Sequence, residues 1–265
     1  MLRTCERFFL WKRGYIVVPG FVSLNDCEKI RNYLNTFDWP IGAFQLPHGS
    51  FCSSIDQEIF DFKMCLFDEL IRESLDILVN RTGETFTDVG LRTIQLRMHS
   101  PIWHIDMQTF NNDYPLIARD KRFKVYKCGI YLQDEAMEGG GTIEIRQPFI
   151  GGGIKNLMYL GNLKKNDNRL LEVCVKGLGL ISDWLQIFRN RPHLCEGDLI
   201  VFNGALMHRA SQRKRNDNLV LDEQTNYFID TSDERGKMML QWELINDTRF
   251  AHMYRDHAIL KHKLI

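Results

Sequence analysis

The sequence predicts an α+β protein whose core is mainly β, a sandwich or barrel under a supporting helical layer. Three observations carry this. Apolar residues recur at helical spacing through much of the first 90 residues. From Gly90 the pattern changes to short β-branched and aromatic runs punctuated by Gly, Pro, Asn and Asp. No internal repeat or linker divides the chain, and 265 residues are enough to bury a sizeable core as one domain. The expected layout is a mostly helical part over 1–90, a β core over 91–230 and a C-terminal helix over 248–265.

In order along the chain, Tyr15-Ile16-Val17-Val18 is a short strand stopped by Pro19-Gly20. Ser23 stands at a helix N-cap, and Cys27, Ile30 and Leu34 follow at helical spacing. Residues 39–54 form a polar loop with a strand near Phe51. Gln57 to Val79 is a long amphipathic helix closed by the turn Asn80-Arg81-Thr82-Gly83. Leu91 to Met98 reads as a half-buried strand with Thr93, Gln95 and Arg97 on its polar side. After the turn at Ser100-Pro101 comes a short extended segment, Ile102 to Asp106. Further strands are expected at Phe123–Leu132, Thr142–Ile145, Leu199–Phe202 and Leu219–Phe228. Residues 151–179, rich in Gly, Lys and Asn and without a period, are an insertion of the kind that forms lids.

Composition narrows the function classes. Lys plus Arg and Asp plus Glu number 34 each, so no global field draws nucleic acid or an anionic membrane. The basic tail from Arg255 to Lys263 reads as a solvated helix face. Seven scattered cysteines, an odd number without a Cys-x-x-Cys pair, point to reduced thiols and a cytoplasmic protein. The N-terminal segment is too short and too charged for a signal peptide, and no run of eighteen apolar residues exists to span a membrane. A small molecule is the expected partner.

The chemistry gathers at Trp103-His104-Ile105-Asp106. On an extended segment the side chains of His104 and Asp106 leave the same face, because strand side chains alternate with period two. An imidazole nitrogen and a carboxylate oxygen placed so can bind one metal. His208 follows a Gly-Asp turn and the apolar run Leu199 to Phe202, and a distant strand brings it within reach as a third donor. Two histidines and one carboxylate form a facial triad that suits Fe(II) and leaves open positions. The plainer alternatives are a hydrogen-bonded His–Asp pair at a sheet edge and a rim histidine.

Several stretches together resemble the phytanoyl-CoA dioxygenase family. They are Phe8 to Phe21 followed by a helix, Trp103-His104-Ile105-Asp106, Gly129 to Asp134 followed by glycines and a strand, and Gly197-Asp198 through His208. The resemblance implies a double-stranded β-helix (a jelly roll, cupin-like) and an Fe(II)- and 2-oxoglutarate-dependent dioxygenase that uses O2. It implies His104, Asp106 and His208 as iron ligands. The expected product is a hydroxylated metabolite or natural-product intermediate, and an acidic ligand at position 106 is absent from related halogenases. The sequence departs from the family at Arg146-Gln147-Pro148 and after His208, where position 219 is Leu. The basic group for the far carboxylate of 2-oxoglutarate is then Arg215 or Arg213, with Lys127 and Gln95 as further candidates. Trp103, Arg97 and Gln108 flank the triad as candidate substrate contacts. The competing readings are a cupin-like binding protein without turnover and a metal-free His/Asp hydrolase or isomerase.

Overall fold

Ser23 caps the first helix as expected. Its hydroxyl accepts the Asp26 amide at 3.1 Å, and the helix α1, Leu24–Leu34, buries Cys27, Ile30 and Leu34. In the computed structural model, residues 14–35, 42–47, 57–96, 98–99, 104–106, 110, 113–114, 124–133, 143–146, 189–210, 219–222, 227–230, 238–246 and 248–262 are described. The long second helix, α2, covers Gln57–Thr82, and Gly83 leaves it at φ 69°, a left-handed exit that glycine accepts without strain. The last helix, α3, covers Thr248–His262. Among the described residues no helix is long and apolar enough to cross a membrane. The insertion over 151–179 and the segment around Phe51 lie outside the described residues.

Twelve strands are described: β1 Tyr15–Val18, β2 Gly42–Pro47, β3 Thr87–Leu96, β4 Met98–His99, β5 Val125–Tyr131, β6 Ile143–Arg146, β7 Arg189–Asn190, β8 Leu199–Asn203, β9 His208–Ala210, β10 Leu219–Asp222, β11 Tyr227–Asp230 and β12 Met238–Ile245. Six make one antiparallel sheet in the order β1-β8-β5-β12-β3-β2, and two three-stranded groups, β7-β6-β9 and β10-β11-β4, complete the β structure. An isolated antiparallel bridge joins His104 to His208 on β9. From β3 onward the chain alternates between the large sheet and the smaller groups: β3 to β4 and His104, back to β5, out to β6 and β7, back to β8, out to β9, and finally back to β12. This winding is the double-stranded β-helix, a jelly roll, with β1 and β2 added at the two ends of its large sheet.

Both faces of the large sheet are covered. Outward, Ile94, Tyr126, Cys128, Ile130, Val201, Leu240, Trp242 and Leu244 pack with residues of α1 and α2. Inward, Tyr131, Ile200, Phe202 and Met239 pack with Ile143 and Ile145 of β6. The third cluster, Val89, Phe110, Val125, Ile245 and Tyr254, closes one end under α3.

This double cover corrects several expectations. The segment from Leu91 is not half-buried, since Arg92, Thr93 and Ile94 are all buried. Arg92 is kept inside by Asp68 at 2.7 Å and Asp88 at 3.2 Å, partners that satisfy an otherwise prohibitive buried charge. The polar loop over 39–54 holds an edge strand, β2, upstream of Phe51. The single strand expected over Leu219–Phe228 is a hairpin of β10 and β11, because the polar Glu223-Gln224-Thr225-Asn226 interrupts the apolar run. Of the extended segment expected up to Asp106, Ile102 and Trp103 lie outside the described residues, His104 makes one bridge, and Asp106 is in a turn. The central strand β12 was not anticipated, and it lies beyond the boundary at 230 expected for the β core.

The turn entering β8 depends on one glycine. Gly197 sits at φ 81°, donates to the Tyr131 carbonyl at 2.9 Å and accepts from the Val22 amide at 2.9 Å. A Cβ there would fall 2.2 Å from the Val22 carbonyl oxygen. Asp198 fixes the same turn, taking the Gly20 amide at 2.8 Å and the Cys195 amide at 2.9 Å. Gly197→Ala is expected to cost about 1–3 kcal/mol from left-handed strain, with the backbone clash added to it. Urea unfolding of the variant measures this; a midpoint equal to that of the wild type would show that the turn relaxes freely.

Candidate metal centre

The winding of the chain brings His104, Asp106 and His208 together. One donor atom from each lies within 4.8 Å of the other two. The backbones of the two histidines exchange a pair of hydrogen bonds, each 3.0 Å, so their rings are held side by side with centroids 4.4 Å apart. Two residues further on, the turn delivers Asp106 beneath them. His208 Nε2 lies 3.1 Å from Asp106 Oδ2, and His104 Nε2 lies 3.6 Å from Asp106 Oδ1.

The ring of His208 is oriented from both sides. Its Nδ1 is 3.0 Å from the Leu206 carbonyl. A carbonyl only accepts, so Nδ1 carries the hydrogen and Nε2 is turned toward Asp106. Phe202 of β8 stands edge-on to the same ring at 4.8 Å. Nε2 then faces a carboxylate oxygen across 3.1 Å, a separation that a proton or a cation between the two atoms bridges. Two ligands about 2.1 Å from a metal and at right angles stand roughly 3 Å apart. The His208–Asp106 separation of 3.1 Å is close to this, the His104–Asp106 separation is 3.6 Å, and two imidazoles with one carboxylate are the donor set that suits Fe(II).

Lys127 of β5 completes the cluster. Its Nζ lies 3.2 Å from Asp106 Oδ2 and 2.8 Å from Glu243 Oε1 on the adjacent strand β12. Burial by itself would raise the Asp106 carboxyl, but Lys127, His208 and His104 hold it well below the usual carboxylate range. Burial would likewise lower Lys127, and Asp106 and Glu243 outweigh it, so the ammonium is held above the ordinary lysine value. Tyr254 of α3 stands near Glu243; burial first and that carboxylate second push its phenol well above the ordinary value. At the same end, His257 Nε2 lies 2.7 Å from Asp113 Oδ2, and Phe110 packs against both Tyr254 and His257.

Of the residues singled out in the sequence, the structure brings together His104, Asp106, His208 and Lys127. Gln95 pairs through its backbone with Met239 of β12 and Ala43 of β2. Arg97, Trp103, Gln108, Arg213 and Arg215 lie outside the described residues. Sequence reasoning missed Glu243 and Tyr254. A signal for the first exists: Met239, Gln241 and Glu243 alternate with Leu240, Trp242 and Leu244, a period-two pattern with its polar side toward the site.

No family model matches the chain. No curated protein matches it. Among solved structures it is similar to HygX from Streptomyces hygroscopicus with iron bound, at a TM-score of 0.48 and 15% identity over 92% of this chain and 86% of that one. It is also similar to EvdO2 from Micromonospora carbonacea var. aurantiaca complexed with 2-oxoglutarate, at 0.46 and 11% over 91% and 89%. A third is SnoN, a non-heme alpha ketoglutarate dependent epimerase from nogalamycin biosynthesis, at 0.47 and 12% over 92% and 82%. These TM-scores lie below 0.5, and the double-stranded β-helix rests on the strand pairing of this chain.

Proposed function

We propose that the chain is a single-domain, non-haem Fe(II)- and 2-oxoglutarate-dependent dioxygenase acting on a small molecule. The observation that carries this is the triad His104, Asp106 and His208, with its donor atoms within 4.8 Å of one another inside a double-stranded β-helix. In this reading both histidines bind through Nε2, and Asp106 supplies one oxygen and a negative charge. Iron, with 2-oxoglutarate and O2, supplies oxidative decarboxylation to succinate and CO2 coupled to oxidation of a C–H bond in the second substrate. The chain does the rest. The Leu206 carbonyl fixes the His208 tautomer, Phe202 shields the ring from water, and the backbone pair between His104 and His208 keeps the two donors adjacent. Arg215 or Arg213 offers the planar fork that grips the far carboxylate of 2-oxoglutarate, with Gln95 as a second contact. Trp103, Arg97 and Gln108 are assigned to the substrate side. A presented acidic ligand at position 106 favours hydroxylation over halogenation.

One observation favours a second reading, a cupin-like protein that binds metal and ligand without turnover. Lys127 is already bracketed by Asp106 and Glu243 and has little charge to offer a carboxylate ligand. Protein prepared without oxygen, loaded with Fe(II) and given 2-oxoglutarate and air separates the two. Succinate above the level of a His104→Ala control, and its loss on chelation, is the expected result. Iron that binds tightly and yields no succinate above that control leaves the binding protein.

A further inference from the structure

Glu243 takes no part in the reaction described so far, yet the large sheet is built irregularly around it. On one side its register partner is Lys127 of β5. On the other side the pairing with β3 breaks: Trp242 pairs with Arg92 and Leu244 with Asp88, so Val89, Gly90 and Leu91 stand opposite Glu243 alone. Gly90 adopts φ 82° there, and its amide is taken by Asp88 Oδ1 at 2.8 Å. The extra residues belong to β3, so β12 itself stays regular and Glu243 keeps its register with Lys127 on β5. That side chain is a buried carboxylate, 2.8 Å from the ammonium of Lys127, which in turn stands 3.2 Å from the triad carboxylate.

We propose that Glu243 is a positioning residue of the metal centre, acting through Lys127 on Asp106. The inference rests on the triad reading given above. Its logic is one of charge. An ammonium beside a divalent cation repels it and competes with it for the Asp106 carboxylate. Paired with Glu243, Lys127 becomes part of a neutral couple, and its nitrogen is drawn toward β12. It then steadies Asp106 Oδ2 without claiming the whole carboxylate. Tyr254 of α3 reaches the same glutamate, so the last helix is tied to the centre through the sequence Tyr254, Glu243, Lys127, Asp106. Partners one contact removed from a ligand typically change metal affinity by about 10–100-fold.

Titration of the full chain with Co(II), followed by the visible absorbance of the bound ion, tests this apart from any turnover. Glu243→Gln keeps the shape and removes the charge; standing two contacts from the ligand, it is expected to raise the dissociation constant for Co(II) by about 10-fold, the low end of that range. In a Lys127→Met background the same substitution is expected to weaken binding by less than about two-fold, because the amine that Glu243 restrains is gone; closing the cycle isolates the coupling. Tyr254→Phe, which leaves both charges in place, is expected to give a smaller loss of the same sign and serves if Glu243→Gln does not fold by circular dichroism. Affinity unchanged in Glu243→Gln, or in Tyr254→Phe where that variant stands in, overturns the proposal. So does an equal loss with and without Lys127. A wild-type chain that binds no Co(II) removes the triad reading itself, and this inference with it.

Discussion

Asp106→Ala protein is expected to fold and to lose more than about 100-fold of its Fe(II) affinity, beyond the range for a partner one contact removed from a ligand. Iron-dependent succinate formation falls with it. Asp106 is the most informative of the three donors to remove. His208 is buried and packed on Phe202, so its replacement disturbs the packing as well as the site. Asp106 lies in a turn outside the strands. Its removal does not strand Lys127, because Glu243 remains 2.8 Å from the ammonium. An unpaired buried charge is the usual reason such a variant fails to fold, and that penalty is avoided here. Isothermal titration with Fe(II) under argon, beside a thermal melt without metal, gives both quantities. Equal affinity in the variant and the wild type would place the metal elsewhere.

The largest loss of stability is expected from Trp242→Ala. Trp242 is 1% exposed, stands at the middle of the large sheet and meets Phe67 of α2 edge-on at 6.2 Å. Truncating a buried aromatic to alanine costs about 3–5 kcal/mol, through lost transfer energy and the cavity left behind. The indole nitrogen also donates to Ser74 Oγ at 3.2 Å, and the buried hydroxyl is left with the bond it donates to the Ile71 carbonyl at 2.8 Å. Against a total stability of about 5–15 kcal/mol this is a large share. Trp242→Phe keeps the packing and loses only the donor, and is expected to cost about 1–2 kcal/mol, close to the price of one buried hydrogen bond. Urea denaturation of the pair apportions ring and hydrogen bond. Equal midpoints for both variants would assign the whole effect to Ser74.

How much of this was legible in the sequence depended on whether the signal was local. The three donors were, because His104 and Asp106 are two residues apart and His208 follows a Gly-Asp turn and an apolar strand. The helices were, because α1 and α2 carry a strict apolar spacing and Ser23 is a good cap. Strand β12 was obscured by its composition. Met and Leu favour helix as readily as sheet, and only Gln241 and Glu243 mark a polar side in its eight residues. With it went Glu243, whose meaning depends on Lys127, more than a hundred residues earlier in the chain. Thr93 misled in the opposite direction: placed on the polar side of a half-buried strand, it is buried, and so is its neighbour Arg92, which Asp68 and Asp88 allow inside. Such pairings are long-range facts that no window of sequence contains.

The place of β12 also bears on how the molecule assembles. It lies between β5 and β3, the strands to which it supplies all the pairing that joins them. Until residues 238–245 have left the ribosome, β3 with β2 and β5 with β8 and β1 are separate ribbons. Each then presents an open edge to any passing strand. Contacts of such long sequence separation form slowly. A nascent chain of this design stays in two pieces until β12 emerges, and its open edges are exposed to misassembly for that whole period.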